Sequence, residues 1–436
     1  MGYFRGVLKI KPALIAMLLA TSLSVVQAQS VPADAQTMQE LIQELRALRQ
    51  RVLDLEQLAA SDKRDIAAKP EPVLPAATSA LGAAQEAVPV PQPAMDDEGI
   101  SHQSHSALNS PLLNFHGYAD LGYRATNTAG GTNGFLLGQA DLFVTSKLSD
   151  NLSFLMETTV DADSSNTPGI DIERLILTYR VSDYLNITAG RYHTAIGYFN
   201  GAFHHGKWFQ TLVDRPFLFE FEDKGGILPI HNTGVSVDGK LPSGTLNLHY
   251  VAEIGNGRAY KTPDAVAVQV SGDENNGKAI NLALYSAPKF LPGWQVGASV
   301  YRDLLTPGGL SKIQQTIYSV HTVYERNRKE FIAEGVLMHH FRAIEGTTNV
   351  SAFYTQMAYR TSPSLKPFAR IEFMNAAASD PVARPLLGSQ GYRRSVEAGI
   401  RYEFSEFCAW KFQAGGLQRR DLPVAFIGSM QLAFIF

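Results

Sequence analysis

The chain has 436 residues, 45% hydrophobic and 18% charged, with a formal net charge of −3. The lack of a basic excess argues against a nucleic acid partner, and the single cysteine, Cys408, excludes a scaffold of internal disulfides. A mean hydropathy of −0.08 is low for a membrane protein, unless its strands expose only alternate residues to lipid. The composition favours one large β-domain with an N-terminal extension.

Residues 1–28 are predicted to be a cleaved signal peptide. Arg5, Lys9 and Lys11 precede an apolar run over residues 13–26, and small residues at the cleavage position place the cut after Ala28. The run is shorter than the roughly 20 apolar residues that span a bilayer, and no cysteine follows to accept a lipid. The pattern therefore indicates export rather than a membrane anchor.

Residues 36–60 are predicted to form a short periplasmic coiled coil. Apolar residues recur at alternating spacings of three and four: Met38, Leu41, Leu45, Leu48, Val52 and Leu55. In a parallel pair of chains, Glu44 would lie opposite Arg49, and Arg51 opposite Glu56. The pattern favours a homo-oligomer and leaves two or three helices open; a single amphipathic helix packed on its own barrel is the alternative.

Residues 61–111 are predicted to be a linker. Six prolines within residues 67–95 stiffen it without giving it a core: Pro70, Pro72, Pro75, Pro89, Pro91 and Pro93. His102 and His105 follow in a polar stretch. Two histidines without further ligands are more typical of a solvated loop than of a metal site.

Residues 112–436 alternate between apolar and polar side chains, which predicts an all-β fold. The apolar set of one segment is Leu175, Leu177, Tyr179 and Val181, and the last strand ends with Met430, Leu432, Phe434 and Phe436 on one face. A soluble β-sandwich also alternates, but its polar faces would not persist over so many long strands. We therefore predict a transmembrane antiparallel β-barrel.

The breaks between strands alternate between tight and long. Tight breaks occur at residues 149–151, 182–184, 241–244, 326–328 and 405–407, and long ones at 161–171, 199–231, 254–278 and 375–393. Short periplasmic turns and long extracellular loops are typical of bacterial barrels, and this count gives about 16 strands. A barrel of that size encloses an aqueous channel.

Two short motifs and the last residue carry a family resemblance. They are the nine residues from Ala189 to Gly197, the six from Asn232 to Val237, and the terminal Phe436. Over residues 115–436 the chain resembles the sixteen-stranded trimeric porins of Gram-negative outer membranes, most of all the phosphate-selective and dicarboxylate-type porins with a periplasmic coiled coil. The resemblance implies a homotrimer in outer-membrane lipid that passes small hydrophilic solutes.

In those porins the third loop folds into the barrel and narrows it, which assigns this role to residues 198–231. The segment is too apolar for an exposed loop, with Phe199, Phe203, Trp208, Phe209, Phe217, Phe219 and Phe221. Its charged residues are candidates for the narrowest ring of the pore: Lys207, Arg215, Glu220, Glu222, Asp223 and Lys224. Alternatively, these charges pair with the barrel wall and hold the loop in place.

The predicted lumen wall carries both charge signs. Its candidate cations are Arg174, Arg180, Arg191, Arg370 and Arg401, and its candidate anions include Glu157, Glu253, Glu334, Glu372 and Glu397. Such mixing favours a transverse field and weak ion selectivity over a filter for one sign. Several of these pairs could instead be salt bridges that brace the wall.

Other functions find little support in the sequence. No G-x-S-x-G nucleophile motif is present, and the adjacent pairs His204-His205 and His339-His340 would point to opposite faces of a strand. We predict no enzymatic activity, no cofactor and no metal. An envelope-anchoring barrel that tethers the coiled coil is the alternative function, although the sequence shows no peptidoglycan-binding domain. Phosphate, dicarboxylates, sugars and general solutes remain open as cargo.

Overall fold

The structure is a computed structural model that describes residues 112–128, 130–162, 167–203, 206–221, 226–260, 267–269, 272–307, 311–383, 391–420 and 422–436. The predicted signal peptide, coiled-coil seam and linker of residues 1–111 lie outside these residues. So do the loop charges Glu222, Asp223 and Lys224 and the pair His204-His205.

Sixteen of the described strands form one closed antiparallel barrel, which confirms the predicted fold. They are β1 (Leu113–Thr126), β2 (Gly134–Lys147), β3 (Leu152–Ala162), β4 (Pro168–Ser182), β5 (Leu185–His193), β6 (His231–Lys240), β7 (Leu248–Gly255), β10 (Ala279–Ser286), β11 (Trp294–Leu305), β12 (Ile313–Arg326), β13 (Lys329–Arg342), β14 (Gly346–Tyr359), β15 (Leu365–Ala376), β16 (Tyr392–Glu403), β17 (Cys408–Arg419) and β18 (Ala425–Ile435). Each barrel strand pairs with the next one along the chain, and β1 pairs with β18 to close the sheet.

The remaining elements are short and lie between barrel strands. Strands β8 (Arg258–Tyr260) and β9 (Ala267–Gln269) form a separate hairpin after β7. Helix α1 spans Phe199–Ala202, and single 3-10 turns span Phe217–Phe219 and Gly244–Leu246. Within the described ranges, no helix has both the length and the apolar character needed to cross a membrane.

The period-two pattern decides which side of the wall each residue faces. In β18, Phe426 is 62% exposed on the outside, whereas Gln431 and Ala433 are buried inside. In β12, Tyr318 and Val320 are exposed while their neighbours Ile317 and Ser319 are buried. Because successive side chains of a strand point to opposite faces, the exposed apolar set forms the outer surface of the barrel.

A bulge in β4 changes this alternation near the lumen. The register pairs Glu157 with Arg174 and then Thr158 with Ile172, so Glu173 has no residue directly opposite. A bulge of this kind places two consecutive residues against one partner. Glu173 and Arg174 consequently lie together beside the buried Glu157.

The two ends of the barrel differ in the length of their connections. One end has the long segments 194–230, 256–278 and 377–391, and the other has the short turns 148–151, 183–184, 327–328 and 404–407. In the β12–β13 turn, Asn327 and Arg328 both have positive φ, of 55° and 65°. Positive φ at both central residues matches the twist of the flanking strands, so the predicted tight break here is confirmed.

Candidate functional site

The segment 194–230, here called the inner loop, joins β5 to β6 and packs against the inside of the barrel wall. Seven of its apolar side chains, each at most 2% exposed, pack on one side of the lumen: Ile196, Phe199, Leu218, Phe219, Ile227, Leu228 and Ile230. They share one apolar cluster with inward-facing residues of β11 to β15: Tyr301, Ile317, Ile332, Met338, Val350, Tyr354 and Met374. This burial keeps the apolar residues of the inner loop away from solvent, as hydrophobic surface requires.

Aromatic contacts lie at the centre of this cluster. The Phe219 ring stacks on Phe199 with centroids 5.4 Å apart and meets the edge of Tyr354 at 6.2 Å. The Arg215 guanidinium lies 4.1 Å from the centroid of Phe221 and donates a hydrogen bond from Nε to the Phe219 carbonyl at 2.7 Å. Arg215 therefore braces the inner loop from within.

Buried carboxylates of the wall accept hydrogen bonds from main-chain N–H groups of the inner loop. Glu334 accepts from Tyr198 and Phe199, and its Oε1 also accepts from the Tyr354 hydroxyl. Glu253 accepts from Ala195 at 3.1 Å, and Glu372 accepts from Phe217 at 2.5 Å. Asp141 accepts from Gly206 at 2.9 Å. These bonds satisfy donors that burial would otherwise leave unpaired.

Gly197 is the residue that lets Glu334 approach the inner loop so closely. Its φ is +73°, and a Cβ there would lie 2.3 Å from Oε2 of Glu334. Any other side chain would displace the carboxylate and strain the backbone. The last glycine of the first sequence motif thus has a specific structural role.

Wall carboxylates accept hydrogen bonds from the inner loop, whereas cations of the wall donate hydrogen bonds to its carbonyl oxygens. Arg370 donates to the Asp214 carbonyl at 2.8 Å and to that of Arg215 at 3.2 Å. Arg401 donates to the carbonyls of Trp208 and Gln210, and Lys411 to those of Lys207 and Leu212. The wall therefore holds both kinds of main-chain group of the inner loop.

The predicted wall residues have four different surroundings. Arg370, Arg401 and Glu372 contact the inner loop, and Arg370 also lies 2.8 Å from both Glu372 and Glu397. Arg174 and Glu157 pair with each other at 2.5 Å across β3 and β4. Arg180 is exposed and pairs with Asp183 beside the short β4–β5 turn. Arg191 lies in β5 between Leu175 and Thr233 of the neighbouring strands.

Of the described candidate charges on the inner loop, Arg215 is almost fully buried, whereas Lys207 and Glu220 keep some exposure. Loss of water around Lys207 lowers the pKa of its ammonium. Loss of water around Glu220 raises the pKa of its carboxyl, an effect that the positive charge of Arg215 opposes. Both groups are thus easier to neutralise than free side chains.

Several wall residues that bind the inner loop were not predicted from the sequence. Lys411 is fully buried, Gln413 accepts from the Val213 N–H at 3.0 Å, and Glu330 accepts from the Thr211 hydroxyl and from Lys366. Their inward alternation with exposed apolar neighbours was the available signal. It marks a lumen position but does not distinguish a loop contact from a free side chain.

A buried chain of hydrogen bonds, here called the loop clamp, ties three loops together. Arg258 donates to the Ile227 carbonyl at 3.0 Å and to Gln315 at 2.9 Å. Gln315 lies 2.7 Å from His340 Nε2, and His340 Nδ1 lies 2.7 Å from Asp380. Burial alone would raise the pKa of the Asp380 carboxyl, but the hydrogen bond from His340 holds it below its ordinary value.

A second set of charges lies where the inner loop faces β1, β16 and β17. Arg124 pairs with Asp214 at 3.2 Å, and its side chain remains 42% exposed. Arg393 is opposite Arg419 in the β16–β17 register, and its guanidinium lies 5.7 Å from the Phe217 centroid. Arg393 and Arg419 are both partly exposed. Among the described residues, no group of three or more histidine, cysteine or acidic side chains is arranged to hold a metal.

Comparison with known proteins finds similarity in fold alone. No protein-family model and no curated protein sequence matches the chain. The anion-selective porin from Comamonas acidovorans is 10% identical, with a TM-score of 0.54 over 75% of this chain and all of that one. The outer membrane channel DcaP of Acinetobacter baumannii is 12% identical, with a TM-score of 0.54 over 76% of this chain and 99% of that one.

Proposed function

We propose that the protein is an outer-membrane porin of a Gram-negative bacterium. Small hydrophilic solutes, ions or small anions among them, diffuse passively through a water-filled barrel that the inner loop narrows. The observation that carries this proposal is the attachment of the inner loop to buried carboxylates and cations of the wall. A loop held on both its N–H and C=O groups keeps a fixed position in the lumen, as a constriction requires.

The solute path lies along the charges that the inner loop leaves partly exposed. Arg124, Arg393 and Arg419 provide positive groups, and Asp214 and Glu220 lie on the facing loop. Two adjacent arginines without a carboxylate between them raise the local concentration of anions. The nearby acids limit this preference, so selectivity is modest. The two structures of similar fold, an anion-selective porin and an outer membrane channel, support this assignment.

The remaining parts of the proposal concern assembly. The exposed apolar outer surface contacts outer-membrane lipid, and the short turns face the periplasm. The seam of Leu41, Leu45, Leu48, Val52 and Leu55 joins the N-terminal segments of a homotrimer in the periplasm. A diffusion channel needs neither catalysis nor a cofactor, and we assign none.

Planar-bilayer recording of the full-length protein tests this function. We expect stepwise conductance, and in a salt gradient a reversal potential with a modest anion preference. The double variant Arg393→Gln/Arg419→Gln should reduce that preference or reverse it. Arg326→Gln, which removes a positive charge from the outer face near a short turn, is the matched control. A folded barrel that conducts no current would refute the porin assignment.

A further inference from the structure

A row of polar side chains crosses the outer face of four adjacent strands. The register pairs Arg302 of β11 with Thr316 of β12, Thr316 with His339 of β13, and His339 with Asn349 of β14. Chain neighbours of the four are fully buried on the inner side: Tyr301, Gln315, Met338 and Val350. Because neighbours in a strand point to opposite faces, the four polar side chains all face outward. Arg302, His339 and Asn349 are exposed.

The row lies within an apolar surface close to the long-loop end of the barrel. Exposed apolar side chains surround it: Ile280, Val300, Tyr318, Leu337, Phe341 and Phe353. Each member of the row is three residues from the end of its strand at the long-loop side, or about 10 Å at the usual rise. An outward charged side chain near the end of a barrel strand costs little in a membrane, because it reaches the headgroups.

The four side chains offer a defined set of hydrogen-bonding groups. Among the described residues, no carboxylate pairs with the Arg302 guanidinium. His339 Nδ1 lies 2.9 Å from Asn349 Oδ1, so a proton on Nδ1 leaves Nε2 as an acceptor. The Thr316 hydroxyl adds a donor between Arg302 and His339, and the Asn349 amide adds donors on the far side of His339. An occupant that fits must supply an anion for Arg302 and a hydroxyl for His339.

We infer that this row binds the headgroup of an anionic membrane lipid that carries both phosphate and hydroxyl groups. Arg302 takes the phosphate, and His339 accepts from a headgroup hydroxyl about two strand spacings, or ~10 Å, away. The acyl chains lie over Tyr318, Leu337 and Phe353. The inference rests on the proposed insertion of the barrel into a membrane.

Charge complementarity and the bulky flanking side chains favour a lipid over a second copy of this chain. A second outward arginine provides a contrast, since Arg394 of β16 donates from Nε to Gln418 at 2.6 Å. That arginine already has a partner in its own wall. Among the described residues, Arg302 has no such partner, and its neighbours in the row supply donors and an acceptor.

Native mass spectrometry of the full-length folded protein in detergent tests the inference. The probe is phosphatidylglycerol, which carries phosphate and hydroxyls, and phosphatidylcholine is the zwitterionic control. We expect Arg302→Gln to weaken phosphatidylglycerol binding about tenfold, and His339→Phe to weaken it less. Arg326→Gln has the same change in charge, on the outer face at the other end of β12, and should bind as the wild type does.

Equal binding of phosphatidylglycerol by Arg302→Gln and wild type would overturn the inference. So would equal affinity for the two lipids, or a change of oligomeric mass in place of lipid loss, which would assign the row to a protein interface. Conductance recorded from the same preparations separates this test from that of the proposed function. Arg302→Gln should leave conductance unchanged because the side chain lies outside the lumen, and a non-conducting wild type that binds the lipid would refute only the porin assignment.

Discussion

The two sides of the barrel hold the inner loop by different forces. Strands β11 to β15 present apolar side chains such as Ile317, Met338 and Tyr354 that bury the aromatic residues of the loop. Strands β16 and β17 present Arg401 and Lys411, which donate to its main-chain carbonyls. Apolar burial is non-directional, whereas hydrogen bonds require specific geometry. Apolar burial against β11 to β15 therefore keeps the loop inside, and the hydrogen bonds, to which Glu334 of β13 and Arg370 of β15 also contribute, fix its position along the strands.

The largest expected effect comes from breaking the ion cluster at which the two walls meet. Arg370→Leu leaves Glu372 and Glu397 without their cation and removes donors to two carbonyls of the loop. Loss of one partner of a buried ion pair costs about 3–5 kcal/mol. We expect a lower thermal unfolding midpoint and larger, noisier channel steps. The double variant Arg370→Leu/Glu372→Leu should recover part of the stability, and no recovery would show that the pair is not the cause.

A cavity in the apolar cluster between the inner loop and strands β11 to β15 should have a somewhat smaller effect. Phe219→Ala removes a fully buried ring between Phe199 and Tyr354, at a cost of about 3 kcal/mol. Limited proteolysis should then cut the inner loop while the barrel stays folded. Phe209→Ala, at a ring that is 48% exposed, is the control and should change the cleavage rate far less. Equal cleavage of both variants would contradict the division between the walls.

Removal of one carboxylate charge from the wall should have a moderate effect. Glu334→Gln keeps the size of the side chain but weakens acceptance from the N–H groups of Tyr198 and Phe199. We expect a loss of about 1–2 kcal/mol in unfolding free energy. Gly197→Ala should mimic this loss, because its Cβ displaces the same carboxylate. A stable Gly197→Ala protein with unchanged conductance would show that the contact is not needed.

The smallest expected effect is a pH dependence of the loop clamp. The folded pKa of Asp380 lies below its unfolded value, so its stabilisation is complete above the ordinary pKa of about 3.9 and is lost as the pH falls below it. Proteolysis of the segment around Asp380 by an acid-active protease should therefore accelerate below about pH 4. Asp380→Asn should be cleaved quickly at every pH. A rate independent of pH in the wild type would contradict this role.

The fold could be predicted from the sequence because the patterns that indicate it, strand alternation and turn residues, are local. Alternation in β4 and β18 predicted the outward apolar faces correctly. The tight break at Asn327 was also predictable, because the connection there is a two-residue turn with positive φ at both residues. The inner loop was also found in the right place, since seven aromatic residues in one long break cannot remain in solvent.

The contact partners of the charged residues were harder to predict from the sequence. Arg370 and Arg401 were predicted to line the lumen without their loop carbonyls, and Lys411 was not singled out. Arg180, a candidate for the lumen wall, pairs with Asp183 beside a short turn. Alternation shows which face a side chain takes, but not how far along the strand the inner loop will meet it.

The sequence by itself determined that the chain forms an antiparallel barrel of about sixteen strands with an apolar exterior and one long apolar loop. These features depend on a period of two and on turn chemistry, which are properties of neighbouring residues. Only the tertiary structure decided that Glu334, Arg370 and Lys411 bind the main chain of that loop. Such contacts join residues far apart in the chain, and they exist only once barrel closure and loop burial have brought the two together.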